Sequence, residues 1–200
     1  RQCLNINGVD DVILATSTVS EDSVLENHCC DGEVKFWRGD PEDVISRYLG
    51  ACDAYGIDVV IRITADCPLV STEIIECLLR SHFETGADYT AANSAAVGTS
   101  GEIINVTALR EIIRRVGRAE YSEYMTWYFR NNSHLFKINM VDLPDELVRD
   151  YRLTLDHQED LELFRKLFDR LPIEQEAYDL KDVFRILDNE PELAELNSHI

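Results

Sequence analysis

Three short apolar runs, at residues 12–16, 34–37 and 59–63, each end in a cluster of small or polar residues, and longer segments separate them. Runs of four or five residues bounded by turn signals predict buried strands. Between them, residues 21–30 and 41–55 predict helices. The second is well marked: Asp40 is placed to cap, Pro41 to occupy the first helical position and Gly56 to stop the helix. Residues 71–85 follow, with Ile74, Ile75, Leu78, Leu79 and His82 on one stripe and Gly86 at the end. Strands and helices alternating at this spacing imply βαβ units and a parallel sheet covered on both faces.

The second half is less regular. Strands are predicted over 88–92, 103–106, 136–141 and 152–155, with a loop of small residues over 95–101. Thr107 is placed to cap a helix over 108–116, and a further helix is predicted over 121–130. Tyr121, Tyr124, Trp127 and Tyr128 crowd that helix, a spacing that fits a core or a subunit interface. Asp156 opens another helix, with Glu159 three residues on as a capping-box partner. Beyond Pro172 the chain turns acidic, with helices over 179–187 and 193–200 and Pro191 between them. The expected layout is an α/β domain over 1–171 and a helical C-terminal extension over 172–200.

With 200 residues, 45% of them hydrophobic, the chain is long enough for one domain with a real core. Its 38 acidic and 19 basic residues leave a formal charge of −19, which lacks the basic footprint of a nucleic-acid binder. No apolar run approaches the length of a membrane helix, and residues 1–11 do not form a signal segment. Of six cysteines, Cys29 and Cys30 are adjacent and none forms a C-x-x-C pair, which argues against zinc and a disulfide framework. Reduced thiols acting as small buried hydrophobes, in a cytoplasmic protein, are expected.

In an open α/β sheet, ligands bind beyond the carboxyl ends of the strands. Asp66 follows the run 59–63, and Asp156 follows the run 152–155. Each has a bland reading: Asp66 as a turn aspartate bonding its own backbone, Asp156 as a helix N-cap. Together, two carboxylates reaching one crevice make a magnesium site for a phosphorylated substrate. Arg38, Gly39, Asp43 and Arg47 form a strand–loop–helix junction whose acidic residues disfavour phosphate and suit nucleoside or sugar hydroxyls. Asp43 and Arg47 also fit a plain i,i+4 surface pair. His157 at a helix start is more simply solvated than a base, and Cys67 lacks a basic neighbour that would activate it.

The segments VILATS (12–17), FWRGDPEDVISRY (36–48), DVVIRITADCPLV (58–70), GADY (86–89) and RLTLDHQEDLELF (152–164) occur in this order. In combination they resemble the acylneuraminate cytidylyltransferase family, in particular its spore-coat polysaccharide biosynthesis F type. The resemblance implies a Rossmann-like nucleotide-diphospho-sugar transferase fold with a mixed, mostly parallel sheet and a C-terminal helical tail. It implies transfer of CMP from CTP to an acidic sugar, with release of pyrophosphate, for surface polysaccharide synthesis. Asp66 and Asp156 match positions that hold Mg2+ in relatives, as catalytic metal ligands. Thr16, Ser17, Arg38, Gly39, Asp43, Arg47, Arg62, Thr64 and Asn105 are the expected nucleotide- and substrate-binding residues. Arg62 and Thr64 would meet a substrate carboxylate or phosphate. Relatives are often homodimers, and the aromatic helix is the expected contact. Departures are Ala65 for a glycine, Tyr124 for a histidine, Asn105 for a glutamate and His157-Gln158 for Thr-Pro. The family's first strand and Arg/Lys/Gly phosphate loop find no match in residues 1–11, so the sequence is expected to start after them. The alternatives are a non-catalytic module that kept the fold, and a transferase using another nucleotide.

Overall fold

The computed structural model describes residues 1–119, 124–172 and 177–200, apart from the side chain of Tyr124. Two strands, β1 (Ile13–Ser17) and β2 (Lys35–Gly39), pair in parallel, from Ile13 opposite Lys35 to Ser17 opposite Gly39. Parallel strands need a crossover, and the chain between them is supplied by 3-10 turns at Ser20–His28 and Cys30–Gly32. The helix expected over 21–30 is therefore a 3-10 segment. None of its side chains is buried, so no apolar stripe was available to stabilise an α-helix.

Helix α1 (Val44–Tyr55) leads from β2 to β3 (Val59–Arg62). It starts three residues later than expected. Asp40 Oδ1 accepts the N–H groups of Glu42 and Asp43 in a turn, and Asp43 caps the helix by accepting Ser46 N–H at 2.8 Å. Gly56, with φ of 70°, ends it as expected. Helix α2 (Thr72–Thr85) starts at its Ser71 cap and buries the whole predicted stripe, Ile74, Ile75, Leu78, Leu79 and His82.

The main sheet continues with β4 (Tyr89–Ala92), β5 (Glu102–Asn105) and β6 (Ile138–Val141), in the order β3-β5-β4-β6. Strand β5 is antiparallel to both β3 and β4, and β6 is parallel to β4. Three of the four strands thus share one direction, giving the expected mixed, mostly parallel sheet. Segment 152–155, expected as a strand, makes only an isolated bridge between Val97 and Arg152.

Ile103 and Ile104 show how this sheet is covered. Both are fully buried, yet they belong to different clusters, because successive side chains on a strand point to opposite faces. Ile103 faces α2, α5 (Gln158–Phe168) and α6 (Leu180–Asn189) through Ile74, Phe164 and Phe184. Ile104 faces α1, α3 (Val106–Val116) and α4 (Tyr124–Asn131) through Ile45, Leu109 and Phe129. Burial on this scale stabilises by about 1.5–3 kcal/mol for each large aliphatic or aromatic side chain. Helix α3 starts at Val106 with Asn105 in the cap position, so Thr107 lies inside the helix and is exposed. On α4, Tyr128 and Phe129 join the core and Trp127 is exposed; Tyr121 lies outside the described residues.

The C-terminal segment is built into the same core. Leu180, Val183, Phe184, Leu187 and Leu193 pack in one cluster with α2 and α5. Gln2 exchanges two hydrogen bonds with the backbone of Tyr178, tying the first residues to this segment. Pro191 opens a short helix, α7 (Pro191–Ala194), instead of only breaking one, and residues 195–200 lie outside any α-helix. Of the six cysteines only Cys52 is fully buried, the others being half-buried, and all are unpaired. Among the described residues no helix is long and apolar enough to cross a membrane.

Candidate active site

Two loops meet beyond the carboxyl end of β3. The first carries Thr64, Asp66 and Cys67, and turns through Cys67 N–H donating to Thr64 C=O at 3.1 Å. The second carries Thr154, Leu155 and Asp156 into α5. Leu155 N–H donates to the Asp66 carbonyl at 2.8 Å, which joins the loops directly. The Thr154 hydroxyl lies 3.4 Å from that carbonyl and 3.2 Å from Asp156 Oδ2, and its single proton serves one of them at a time. Asp66 and Asp156, 90 positions apart in sequence, are thereby neighbours.

Partial burial works against the charge of Asp66. Hydrogen bonds from the side chains of Thr64 and Cys67 and from its own N–H outweigh this and hold its pKa below the ordinary value. Burial pushes the Cys67 thiol up, which fits its rejection as a nucleophile. Asp156 is not the cap of α5. The cap position is His157, and the partner three residues on is Asp160, whose Oδ2 accepts His157 N–H at 2.9 Å. Glu159 is exposed and is not that partner. The Asp156 carboxylate is thus released from the capping role, and its Oδ2 accepts from Arg152 Nη2 at 2.7 Å.

The loop over 95–101 buttresses this junction. Gly98 has a φ of +87°, and a Cβ there would sit 2.1 Å from the Leu153 carbonyl oxygen. Only glycine permits this approach.

Arg62, at the end of β3, donates to Glu102 Oε2 at 2.9 Å. Glu102 also accepts from the Tyr89 hydroxyl at 2.6 Å and from the Thr126 hydroxyl at 2.7 Å. Burial and the Glu102 charge push the Tyr89 phenol well above its usual range, so it stays a donor. Glu102 carried no motif signal. Its only sequence clue is a charged residue at the start of a short strand.

A second group lies at the ends of β1 and β2. Asp22 Oδ2 accepts from Ser17 Oγ at 2.6 Å and Thr16 Oγ1 at 2.9 Å, bonds that lower the Asp22 pKa. Arg38 donates to the carbonyls of Ser17 and Val19 at 3.1 and 2.8 Å. Gly39 allows α1 to lie close, since a Cβ there would be 2.8 Å from Arg47 Cγ. Asp43 is buried, and both its oxygens are engaged, by Ser46 N–H and by Ala119 N–H at 3.2 Å. It shapes the junction and makes no i,i+4 surface pair. Arg47 Nε is buried without a hydrogen-bond partner among the described residues.

Asn105 lies elsewhere. Because β5 runs antiparallel to β3, Asn105 pairs with Val59 at the amino end of β3 while Glu102 pairs with Arg62. Its side chain donates to Ala87 C=O at 2.7 Å and lies 3.2 Å from His82 Nε2. Asn105 thus lies at the other end of β5 from Glu102, and sequence spacing does not reveal that one strand is reversed.

Among the described residues no three His, Cys, Asp or Glu side chains gather as a metal cluster. The Asp66–Asp156 pair instead has the donor set of a Mg2+ site completed by water and substrate phosphates, which takes one or two carboxylates from the protein.

This fold is that of nucleotide-sugar transferases. The family model described as cytidylyltransferase matches residues 1–190. Spore coat polysaccharide biosynthesis protein SpsF of Bacillus subtilis is 31% identical over 92% of this chain and 78% of its own length. A solved cytidylyltransferase from Leptospira borgpetersenii superposes with a TM-score of 0.81 at 25% identity, covering 92% of this chain and 78% of that one. The CMP:2-keto-3-deoxy-manno-octonic acid synthetase complexed with CTP shares the fold, with a TM-score of 0.60 at 14% identity, covering 84% and 85%. The chain belongs to the cytidylyltransferase family and is of the SpsF type.

Proposed function

We propose that this protein transfers CMP from CTP to a hydroxyl of an acidic sugar of the nonulosonic type, releasing pyrophosphate, for surface polysaccharide synthesis. The hydroxyl oxygen bonds to the α-phosphorus as the bond from that phosphorus to the pyrophosphate oxygen breaks. The observation that carries this reading is the joining of the Asp66 and Asp156 loops through Leu155 N–H and the Asp66 carbonyl. Asp66 and Asp156 would hold Mg2+, which when bound offsets the charge gathering on the phosphates. The low pKa of Asp66 keeps it ionised for that task. Thr64 borders the same crevice, and Arg62, oriented by its ion pair with Glu102, would offer its remaining N–H donors at the strand end. Thr16, Ser17, Arg38 and Arg47 would line the nucleoside side.

The test is pyrophosphate release by the intact protein with CTP, MgCl2 and a panel of acidic sugars. Asp66→Asn is expected to lower kcat at least about 100-fold while leaving Tm within about 2 °C, since its carboxylate is half-exposed. Unimpaired turnover in that variant, or no release with any sugar, would overturn the assignment.

A further inference from the structure

The C-terminal segment reaches the candidate site through one buried carboxylate. Asp160 has no exposed surface, and its oxygens collect five donors. Oδ1 accepts from Arg152 Nε at 3.1 Å and Asn197 Nδ2 at 2.7 Å. Oδ2 accepts from Arg152 Nη2 at 3.2 Å and from the N–H groups of Asp156 and His157 at 3.0 and 2.9 Å. Asn197, itself only 2% exposed, also donates to the Arg152 carbonyl at 3.0 Å. Arg152 completes the circuit, since its Nη2 reaches both Asp160 and the Asp156 carboxylate.

Each contact constrains Asp156 from a different side. Asp160 fixes its backbone N–H, Arg152 restrains its carboxylate, and Asn197 orients both Asp160 and Arg152. The two bonds from Arg152 to Asp160 also keep the guanidinium in place whenever Asp156 turns to another cation. A charged group this buried is tolerated only when its acceptor sites are filled, so removing one donor disturbs the rest.

We propose that Asp160 and Asn197 are positioning residues for Asp156, so that residues 190–200 are a working part of the site. This rests on Asp156 being a metal ligand. Partners of ligand residues typically change metal affinity about 10–100-fold when removed. The α6–α7 segment packs into the main core, which gives Asn197 a rigid platform.

The experiment compares the intact wild-type protein with Asn197→Ala, the isosteric Asn197→Asp, and Ile112→Ala, a destabilising control in the core on the opposite face of the sheet. Two readouts are taken: amide hydrogen exchange of Asp156 and His157, and Mn2+ binding followed by electron paramagnetic resonance. Both Asn197 variants should exchange those two amides at least tenfold faster and bind Mn2+ about 10–100-fold more weakly. Ile112→Ala, at an equal or larger loss of Tm, should change neither. Unchanged exchange in either folded Asn197 variant, or equal acceleration in Ile112→Ala, overturns the positioning role. If exchange accelerates as expected but wild type binds no Mn2+, the positioning of the loop stands and the metal reading falls.

Discussion

At the residue scale, the site depends on backbone approach as much as on carboxylates. Gly98 brings the 95–101 loop against Leu153, and the atom a Cβ would strike is a backbone carbonyl that cannot rotate away. Gly98→Ala is therefore expected to cost more than about 2 kcal/mol, combining a positive φ with a steric clash. Urea denaturation measures it, and a change below about 0.5 kcal/mol would contradict the described contact. Gly39 differs in kind: its nearest clash is with the flexible Arg47 side chain as well as the Arg47 backbone. Asp43 and Asp160 show the same economy with buried carboxylates, each taking backbone N–H donors that a loop would otherwise leave unpaired.

At the scale of elements, helix starts separate two kinds of polar residue that look alike in sequence. Ser71 is buried and accepts Ile74 N–H at 3.2 Å, whereas Thr107 is exposed in the first turn of α3 and caps nothing. Ser71→Ala should cost about 1 kcal/mol and Thr107→Ala less than about 0.5 kcal/mol. Equal costs in chemical denaturation would restore Thr107 as the cap. The reversed direction of β5 matters more, because it sends Glu102 to the edge of the candidate crevice and Asn105 to the opposite edge. A polar residue near either end of a short strand carries no mark of which edge it will occupy.

At the scale of the molecule, charge is the unbalanced quantity. The 38 acidic residues outnumber the 19 basic ones twofold, and several arginines and lysines are engaged in ion pairs with acidic neighbours. Exposed pairs of this kind contribute at most about 1 kcal/mol each, so net repulsion dominates the long-range field. Raising NaCl from 0.05 to 0.5 M shortens the Debye length and should raise Tm by about 2–4 °C. A fall in Tm would mean that the ion pairs outweigh the repulsion. On the proposed reading, the same field would favour a divalent cation at Asp66 and Asp156 beside an anionic nucleotide.

Much of this protein was legible in the sequence. Strand β1, helices α1 and α2 and the stripe from Ile74 to His82 follow from local pattern, because period, caps and glycine stops act within a few residues. That the Asp66 and Asp156 loops meet was visible too, through the motifs that carry them. What the tertiary structure decided is everything that depends on distant partners. It turned β5 around, absorbed the C-terminal segment into the main core and filled the acceptor sites of Asp160 from Arg152, Asn197 and the α5 entry. It also reduced the expected strand over 152–155 to a bridge, because its N–H groups found Val97 and Asp66 instead of a continuous ladder. Periodicity records which face of an element is buried; which neighbour buries it, and in which direction that neighbour runs, is settled only when the chain closes on itself.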